Sequence, residues 1–274
     1  MADAAGRMAQ GQFDTRVEIS RTAPEMARLA DSFNTMADKL SELESSRREF
    51  VANVSHELRS PITSIRGFVE GMEDGTIPPQ EHGKYLHIVG DETKRLSKLI
   101  NDLLSLSRLE REDAQLQLMD FDMNEMLRRA VIRRMNDLDQ KQMEIDTDFR
   151  LDPCMVHADS DRMEQVVVNL LDNAIKFTPQ GGKIRLTTED TGSVIQVTVW
   201  DNGQSILPED RDKVFDRFFT ADRAHTAGKG TGLGLSICKR ILEFHGQSIR
   251  LADTTEGAAF VFTLEKGKAT EDKK

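Results

Sequence analysis

Apolar side chains recur along the first part of the chain with gaps that alternate between three and four residues. The positions are Met26, Leu29, Phe33, Met36, Leu40, Leu43, Phe50 and Val54, with Arg47 as the polar break. This heptad pattern predicts one long helix that forms a coiled coil. Beyond Val54 the apolar positions step by four, to Leu58 and Ile62, which shifts the seam. The shift either transmits helix rotation or fits the seam to a wider bundle, and both interpretations stay open.

A second apolar stripe follows a segment rich in glycine and proline. Gly71, Gly75, Pro78 and Pro79 predict a turn. The stripe after it consists of Tyr85, Ile88, Val89, Leu96, Leu99, Leu103 and Leu106. Two long helices in succession predict a helical hairpin, and pairing of two hairpins into a four-helix bundle would cover both stripes. We therefore expect a homodimer.

The pattern changes after about residue 114 to a mixture of short strands and helices. It predicts helices at Met123–Leu138, Asp161–Phe177 and Gly232–His245, and strands at Ile145–Phe149, Met155–Ala158, Lys183–Glu189, Val194–Asp201, Ser248–Ala252 and Phe260–Leu264. This mixture is typical of an α/β sandwich. The predicted fold class is multidomain: an α-helical coiled coil and hairpin, then an α/β sandwich. The domains are 1–46 (coiled coil), 47–113 (hairpin), 114–266 (sandwich) and 267–274 (charged tail, predicted to be disordered).

Composition narrows the classes of protein. The 274 residues carry a net charge of −10, which argues against a nucleic acid as the main partner. The two cysteines, Cys154 and Cys238, lie far apart without a metal-binding motif and are interpreted as reduced packing residues of a cytosolic protein. No apolar run approaches the roughly 20 residues that span a bilayer.

The segment around His56 has the groups that phosphoryl chemistry on an imidazole needs. A neutral imidazole is a nucleophile near pH 7. Glu57 can accept a hydrogen bond from one ring nitrogen and make the other more nucleophilic. Ser60 lies one turn further on the same helix face, where its hydroxyl could hold a water. Pro61 is expected to bend the helix. On the pair His56–Glu57 alone, a solvated histidine on a charged helix would be the more frequent explanation.

Two further segments suit a nucleotide. Asn169, Asn173 and Lys176 share one face of a predicted helix, and two amide oxygens with water suit Mg²⁺ while the ammonium suits phosphate. Asp201, at the end of a predicted strand, can accept a hydrogen bond from the exocyclic amine of adenine. Gly203 would permit close backbone approach to the ring.

Glycines alternate with other residues just before the last predicted helix, at Gly228, Gly230, Gly232 and Gly234. They permit tight backbone approach, and the N-terminus of a helix favours anionic phosphate. The run is not a Walker A loop, because Gly230 follows Lys229. No strand precedes it, so it is not a Rossmann turn either.

In this order, the segments resemble the sensor histidine kinases of two-component systems. Residues 50–63 resemble the phosphoacceptor box, and the resemblance continues through the hairpin to 103–110. Residues 169–178, 201–203, 215–219 and 228–235 resemble the Asn box, first glycine box, Phe box and second glycine box of the ATP-binding domain shared with gyrase, Hsp90 and MutL. The resemblance adds Arg217, Thr231 and Leu233 to the nucleotide-binding residues, and implies a mobile lid between Asp216 and Thr231. Asn169 and Asn173 become its Mg²⁺ ligands.

The family resemblance implies ATP-dependent autophosphorylation on His56, followed by transfer to an aspartate of a response regulator. Two alternatives stay open: a phosphatase of that regulator, with Ser60 holding the water, and a non-catalytic ATP-sensing dimer. Transfer within one chain or between chains also stays open. Residues 11–36 resemble part of a HAMP linker, so the chain is expected to be the cytoplasmic part of a membrane receptor.

The sequence departs from the family pattern at two positions. Gln165 stands where related ATPases that hydrolyse ATP carry a glutamate base, which fits ATP reserved for His56. Ser205 stands where the first glycine box usually has its second glycine. If that position needs a positive φ, serine there costs roughly 1–2 kcal/mol and weakens ATP binding.

Overall fold

The structure is a computed structural model, and it describes residues 2–17, 24–109, 115–220 and 230–268. The chain divides into two compact units, residues 1–83 and 84–274. The predicted disordered tail lies almost wholly outside the described residues. Within the described part, no helix is long and apolar enough to cross a membrane.

The first unit contains helix α1 (Ala2–Ala9) and the 50-residue helix α2 (Pro24–Glu73). The amide of Asn34 on α2 donates to the Val17 carbonyl and accepts from the Val17 N–H, which ties the connecting segment to the helix. α2 runs without interruption through Pro61. The long helix predicted from the heptads is confirmed. Four of its apolar positions, however, are 50–66% exposed in the single chain: Met26, Leu29, Met36 and Leu43.

A 3₁₀ turn at Pro79–Glu81 leads into helix α3 (His82–Leu109), most of which belongs to the second unit. The C-terminal half of α3 is buried within that unit at Leu99, Asp102, Leu106 and Leu109. The second predicted helix is thereby confirmed. The burial of Asp102 among three leucines was not expected from the apolar stripe.

The second unit has two sheets. In the smaller one, β1 (Leu118–Asp122) pairs antiparallel with β3 (Met155–Asp159). The larger one contains β2 (Glu144–Phe149), β4 (Lys183–Asp190), β5 (Ile195–Asp201), β6 (Ile249–Leu251) and β7 (Ala258–Leu264), in the order β2-β4-β5-β7-β6. Only β2 and β4 are parallel among the pairs of this described sheet. The predicted β4–β5 hairpin is confirmed, whereas β1 was not predicted.

Helices α4 (Met123–Ile132), α5 (Met135–Gln140), α6 (Ser160–Phe177) and α7 (Gly234–Phe244) complete the sandwich. The predicted single helix Met123–Leu138 is wrong, because a turn at Arg133 and Arg134 divides it. Arg134 thereby reaches Asp172 on α6 with its guanidinium. Alternate residues of β4 and β5 are buried, as the period of two predicts, whereas nearly every residue of β7 is buried. The predicted fold class, long helices followed by an α/β sandwich, is confirmed.

Candidate nucleotide and phosphoacceptor sites

Helix α6 carries the first group of predicted nucleotide residues. It begins at the cap Asp159, whose carboxylate accepts the N–H of Arg162. Because the helix is regular, Asn169, Asn173 and Lys176 lie on one face, and all three line a single cavity. The amide nitrogen of Asn169 donates to the Gly234 carbonyl at 3.3 Å, which fixes the orientation of that side chain.

The C-terminus of α6 is held by a lysine that the sequence did not reveal. Lys141, which follows α5, donates from Nζ to the carbonyls of Ile175, Lys176 and Thr178 at 2.5, 3.2 and 3.0 Å. These carbonyls have no partner within the helix, and a cation at this end is favoured by the helix dipole. Lys141 thus fixes the backbone next to Lys176.

Asp201 lies at the end of β5 and is 3% exposed. It continues the buried face of the strand after Ile195, Val197 and Val199, so the period of two places its carboxylate in the core layer. Its Oδ1 accepts the Gly203 N–H at 2.9 Å. Burial raises the pKa of Asp201 to about 6, against the effect of that hydrogen bond.

The glycines around Asp201 are required by protein contacts. A Cβ at Gly203 would lie 2.5 Å from the Phe177 carbonyl oxygen and 2.7 Å from Asp201 Oδ1. A Cβ at Gly257, where φ is +67°, would lie 1.7 Å from the Asp201 carbonyl oxygen. Gly203 was expected to permit approach to a ligand ring. The structure shows a second reason for glycine here, which is that it permits the turn that closes on the Asp201 carboxylate.

The second glycine box forms a loop whose shape depends on positive φ angles. Gly230 and Gly232 have φ of +90° and +67°, and a Cβ at Gly232 would lie 2.7 Å from the Phe218 backbone. Phe218 itself has φ +62°, and its N–H donates to the Gly232 carbonyl at 3.0 Å. Leu233 is buried and precedes α7, which begins at Gly234. Gly228 and most of the predicted lid lie outside the described residues.

Ser205 does not have the conformation on which its expected penalty depended. Among the described residues, positive φ at a non-glycine position occurs only at Gln142 and Phe218. The Ser205 hydroxyl accepts the Gly257 N–H at 3.1 Å, so serine adds a contact. The premise that Ser205 weakens ATP binding through backbone strain is therefore wrong.

The cavity brings most of the predicted residues together and adds others. Predicted residues on its wall are Asn169, Asn173, Lys176, Asp201, Gly230, Thr231, Gly232 and Gly234. Residues that the sequence did not single out as ligands include Lys98, Asp172, Gln204, Ile206, Val214, Phe219, Leu235, Ala258 and Phe260. Gly203 and Leu233 do not line the cavity themselves, but each is next in the sequence to residues that do. Arg217 is exposed and does not line the cavity. The lining combines apolar side chains with amide, carboxylate and ammonium groups, a mixture that suits a nucleotide.

His56 lies on α2 with its side chain 74% exposed. Its Nδ1 is 3.8 Å from Glu57 Oε1, which is longer than a hydrogen bond, so the expected bond is not made in this structure. Ser60 is exposed one helical turn after His56. The uninterrupted helix therefore keeps His56 and Ser60 on one face.

The α/β sandwich places three features around one cavity: a helix with amide side chains, a buried aspartate at a strand end, and a glycine loop. This combination is typical of a class of ATP-binding domains. Residues 158–268 match the histidine kinase-, DNA gyrase B- and HSP90-like ATPase family, which implies ATP binding. Residues 46–112 match the His Kinase A (phospho-acceptor) domain, and residues 1–42 match the HAMP domain.

Individual relatives agree with these domain matches. Sensor protein SrrB of Staphylococcus aureus is 37% identical over 227 residues, which are 82% of this chain and 39% of that protein. The chain thus spans about two fifths of the length of this curated relative. The structure of Acinetobacter baumannii histidine kinase AdeS is 27% identical with a TM-score of 0.65, covering 78% of this chain and 98% of that chain.

Histidine kinase ThkA, solved in complex with response regulator protein TrrA, is 31% identical with a TM-score of 0.68 and covers 84% of this chain and 66% of that chain. The structure of the catalytic domain of ThkA alone is 34% identical with a TM-score of 0.51, and the match covers 55% of this chain and 96% of that chain. The chain belongs to the sensor histidine kinase family.

Proposed function

We propose that the chain is an ATP-dependent protein-histidine kinase that phosphorylates itself on His56. The observation that carries the proposal is the single cavity shared by Asn169, Asn173, Lys176, Asp201 and the second glycine loop. An exposed imidazole on the matched phosphoacceptor segment supplies the nucleophile.

We assign adenine binding to the apolar residues of the cavity lining and to Asp201. The Asp201 carboxylate accepts a hydrogen bond from the exocyclic amine, beside Ile206, Val214 and Phe260. Because the Asp201 carboxylate is fixed in the core layer, it cannot move to contact a base whose amine lies elsewhere. It therefore selects a base with the amine at this position. Lys176, which lines the same cavity, provides an ammonium for the phosphates.

Mg²⁺ fits the donor set of α6. The Asn169 amide nitrogen is engaged by the Gly234 carbonyl, which leaves its oxygen as the atom that can act as a ligand, with Asn173 one turn further. Amide oxygens, phosphate oxygens and water are donors that Mg²⁺ prefers. When bound, the ion neutralises negative charge on the phosphates.

In the reaction, the lone pair of His56 Nε2 forms a bond to the γ-phosphorus of ATP. The bond from that phosphorus to the β–γ bridging oxygen breaks, and ADP leaves with its electron pair. The ring proton on Nδ1 faces Glu57, whose carboxylate closes a gap of 3.8 Å to stabilise or accept it. Phosphohistidine then donates its phosphoryl group to an aspartate of a response regulator, as expected for this family.

The test is incubation with ATP labelled on the γ-phosphate. We expect label that is lost in acid, kept in alkali, absent from His56→Gln, and transferred to a receiver domain. A wild-type chain that binds ATP but takes no label contradicts the proposal. If it instead removes phosphate from a phosphorylated receiver, the phosphatase alternative is favoured, with Ser60 beside His56 as the residue to substitute.

We further propose a homodimer through α2 and the following helix. Met26, Leu29, Met36 and Leu43 form a repeating apolar row that is half or more exposed in one chain, and a second copy would cover it. Light scattering should give twice the monomer mass. Leu43→Asp should lower that mass, whereas Ser45→Asp, off the row on the same helix, should not. The HAMP match supports placing this part downstream of a membrane-anchored sensor.

A further inference from the structure

Helix α3 contributes two charged side chains to the nucleotide unit. Lys98 and Asp102 are four residues apart and therefore lie on one face of the helix. Lys98 lines the nucleotide cavity, and its Nζ is 3.2 Å from Asp172 on α6. Asp102 points its carboxylate at the second glycine loop. Both contacts lie within the second unit.

Asp102 and Thr231 form a buried hydrogen bond. Asp102 is 6% exposed and Thr231 is 8% exposed. The Thr231 hydroxyl donates to Asp102 Oδ2 at 3.0 Å, and its oxygen accepts the Leu233 N–H at 3.3 Å. A hydroxyl has one hydrogen, so a carboxylate that takes this hydrogen decides which way the hydroxyl lone pairs face. Here they face the loop backbone.

We propose that Asp102 is a positioning residue of the nucleotide site, acting through the Thr231 hydroxyl to hold the second glycine loop in its ATP-binding shape. The inference rests on the proposed ATP-binding function. It adds a residue from the helical hairpin, outside every motif that marks the nucleotide domain.

The surroundings explain why the contact is specific. Burial raises the pKa of Asp102, while the Thr231 hydroxyl and the Lys98 charge act against that rise. A carboxylate in this place is costly unless it has a hydrogen-bond donor, and the described structure gives it the Thr231 hydroxyl. The other buried residues of α3 are three leucines, so a fourth leucine at position 102 would pack beside them without a desolvation cost. The polar pair therefore selects one loop conformation over others.

The described part of the loop is held through its backbone at one point, where the Phe218 N–H donates to the Gly232 carbonyl. Gly230 and Gly232 have no side chains, and both have φ angles that most residues avoid. Thr231, between them, is therefore the side chain by which this part of the loop can be held. Without the Asp102 acceptor, the Thr231 hydroxyl can rotate, and the Leu233 N–H loses a fixed partner. Nucleotide binding must then order the loop, and the free energy that this ordering costs lowers the affinity for the nucleotide.

The experiment is a double-mutant cycle on the dissociation constant of a non-hydrolysable ATP analogue, measured calorimetrically on the full chain. Asp102→Ala and Thr231→Val should each raise the constant by roughly tenfold, as expected for loss of a buried hydrogen bond to a charged group. The double variant should be no weaker than the weaker single variant, because both remove one interaction.

Conservative variants separate positioning from general damage. Asp102→Asn and Thr231→Ser keep an acceptor and a hydroxyl, and should stay within about threefold of the wild type. Asp91→Ala is the matched control: Asp91 is an exposed carboxylate on the same helix, paired with Lys94 at 3.2 Å. It should leave the constant unchanged. If Asp102→Ala does not fold, Thr231→Val against Thr231→Ser carries the same comparison.

The inference is overturned if Asp102→Ala binds the analogue like the wild type, if the double variant shows additive loss, or if Asp102→Asn is as weak as Asp102→Ala. Failure of the proposed function looks different. In that case the wild type binds no analogue, or binds it but takes no label on His56 from ATP labelled on the γ-phosphate, before any substitution on α3 is made.

Discussion

The nucleotide cavity and the phosphoacceptor helix hold their reactive groups in opposite ways. Asp201 is buried at the end of a sheet strand, and Gly203 and Gly257 leave room for it because a Cβ at either position would clash with Asp201 atoms. His56 stands in solvent on a helix, and its nearest described ion-pair partner is too distant for a hydrogen bond. One site is preorganised by packing, whereas the other is a proposed nucleophile displayed by secondary structure. Substitutions at the first should damage fold and binding together, and substitutions at the second should damage chemistry alone.

The largest effect on folding should come from Gly257→Ala. The added Cβ would meet the Asp201 carbonyl oxygen, and φ is +67°. We expect a loss of about 3 kcal/mol or more in the free energy of unfolding of the second unit, and loss of ATP binding. Urea unfolding followed by the fluorescence of Trp200, the only tryptophan, reports this unit.

Gly246→Ala is the matched control for that substitution. Gly246 also has φ +67°, but a Cβ there meets nothing within 4 Å. It should cost only about 1 kcal/mol, from backbone strain, and leave ATP binding intact. Equal costs at the two positions would show that the close packing around Asp201 does not matter.

The next effect is a pH dependence that stems from Asp201. Burial raises the pKa of Asp201 to about 6 from 3.8, so between these values the folded chain binds more protons than the unfolded chain. Its contribution to stability is therefore fully present below pH 4 and is lost as the pH rises through 6. At about 1.4 kcal/mol per pKa unit, the loss is on the order of 3 kcal/mol. The difference between wild type and Asp201→Asn in urea titrations at several pH values isolates it.

ATP affinity should respond to pH with the opposite sign. The ionised Asp201 carboxylate is the acceptor for the adenine amine, so binding should weaken as the pH falls below about 6. Calorimetry of the ATP analogue between pH 5 and 8 checks this. At the acid end, the dissociation constant should rise by about tenfold for each unit by which the pH falls. An affinity that stays flat across this range contradicts the role of Asp201.

Ser205→Gly should have a smaller effect. It removes the hydroxyl that accepts the Gly257 N–H, at a cost of about 1 kcal/mol in the free energy of unfolding. ATP binding should not tighten, because serine here carries no positive φ to relieve. Ser205→Ala is the matched control for loss of the hydroxyl without added backbone freedom. Tighter binding in the glycine variant would contradict this account of the pocket.

The smallest effect on the fold should come from substitution of the proposed nucleophile, His56. His56→Gln should change the free energy of unfolding by less than about 0.5 kcal/mol, because the side chain is exposed and glutamine is a good helix former. Thermal unfolding of the whole chain checks this. A large loss of stability would mean that His56 packs against something when two chains associate.

Local patterns predicted what local geometry determines. Asn169, Asn173 and Lys176 meet on the cavity because helix spacing alone places them on one face. Asp201 could be placed at a strand end from alternation. The helix break at Arg133 and Arg134 was not predicted, and the contact that Arg134 then makes with Asp172 joins residues 38 positions apart.

Contacts between residues far apart in the sequence were not predictable. Asp102 and Thr231 are separated by 129 positions, and nothing in the apolar stripe of α3 indicates a buried carboxylate. Lys141 serves the end of α6 from a loop 34 or more positions earlier. The contact between the Ser205 hydroxyl and the Gly257 N–H, which joins residues 52 positions apart, was likewise not predicted.

The most direct measurement compares ATP affinity and phosphohistidine yield in His56→Gln and Asn173→Ala. Our account predicts that His56→Gln binds ATP with the wild-type constant and takes no label. Asn173→Ala should bind ATP at least about tenfold more weakly and label in proportion to the ATP it binds. Label that persists in His56→Gln, or ATP affinity that falls with it, would contradict the division between a prebuilt nucleotide cavity and a displayed nucleophile.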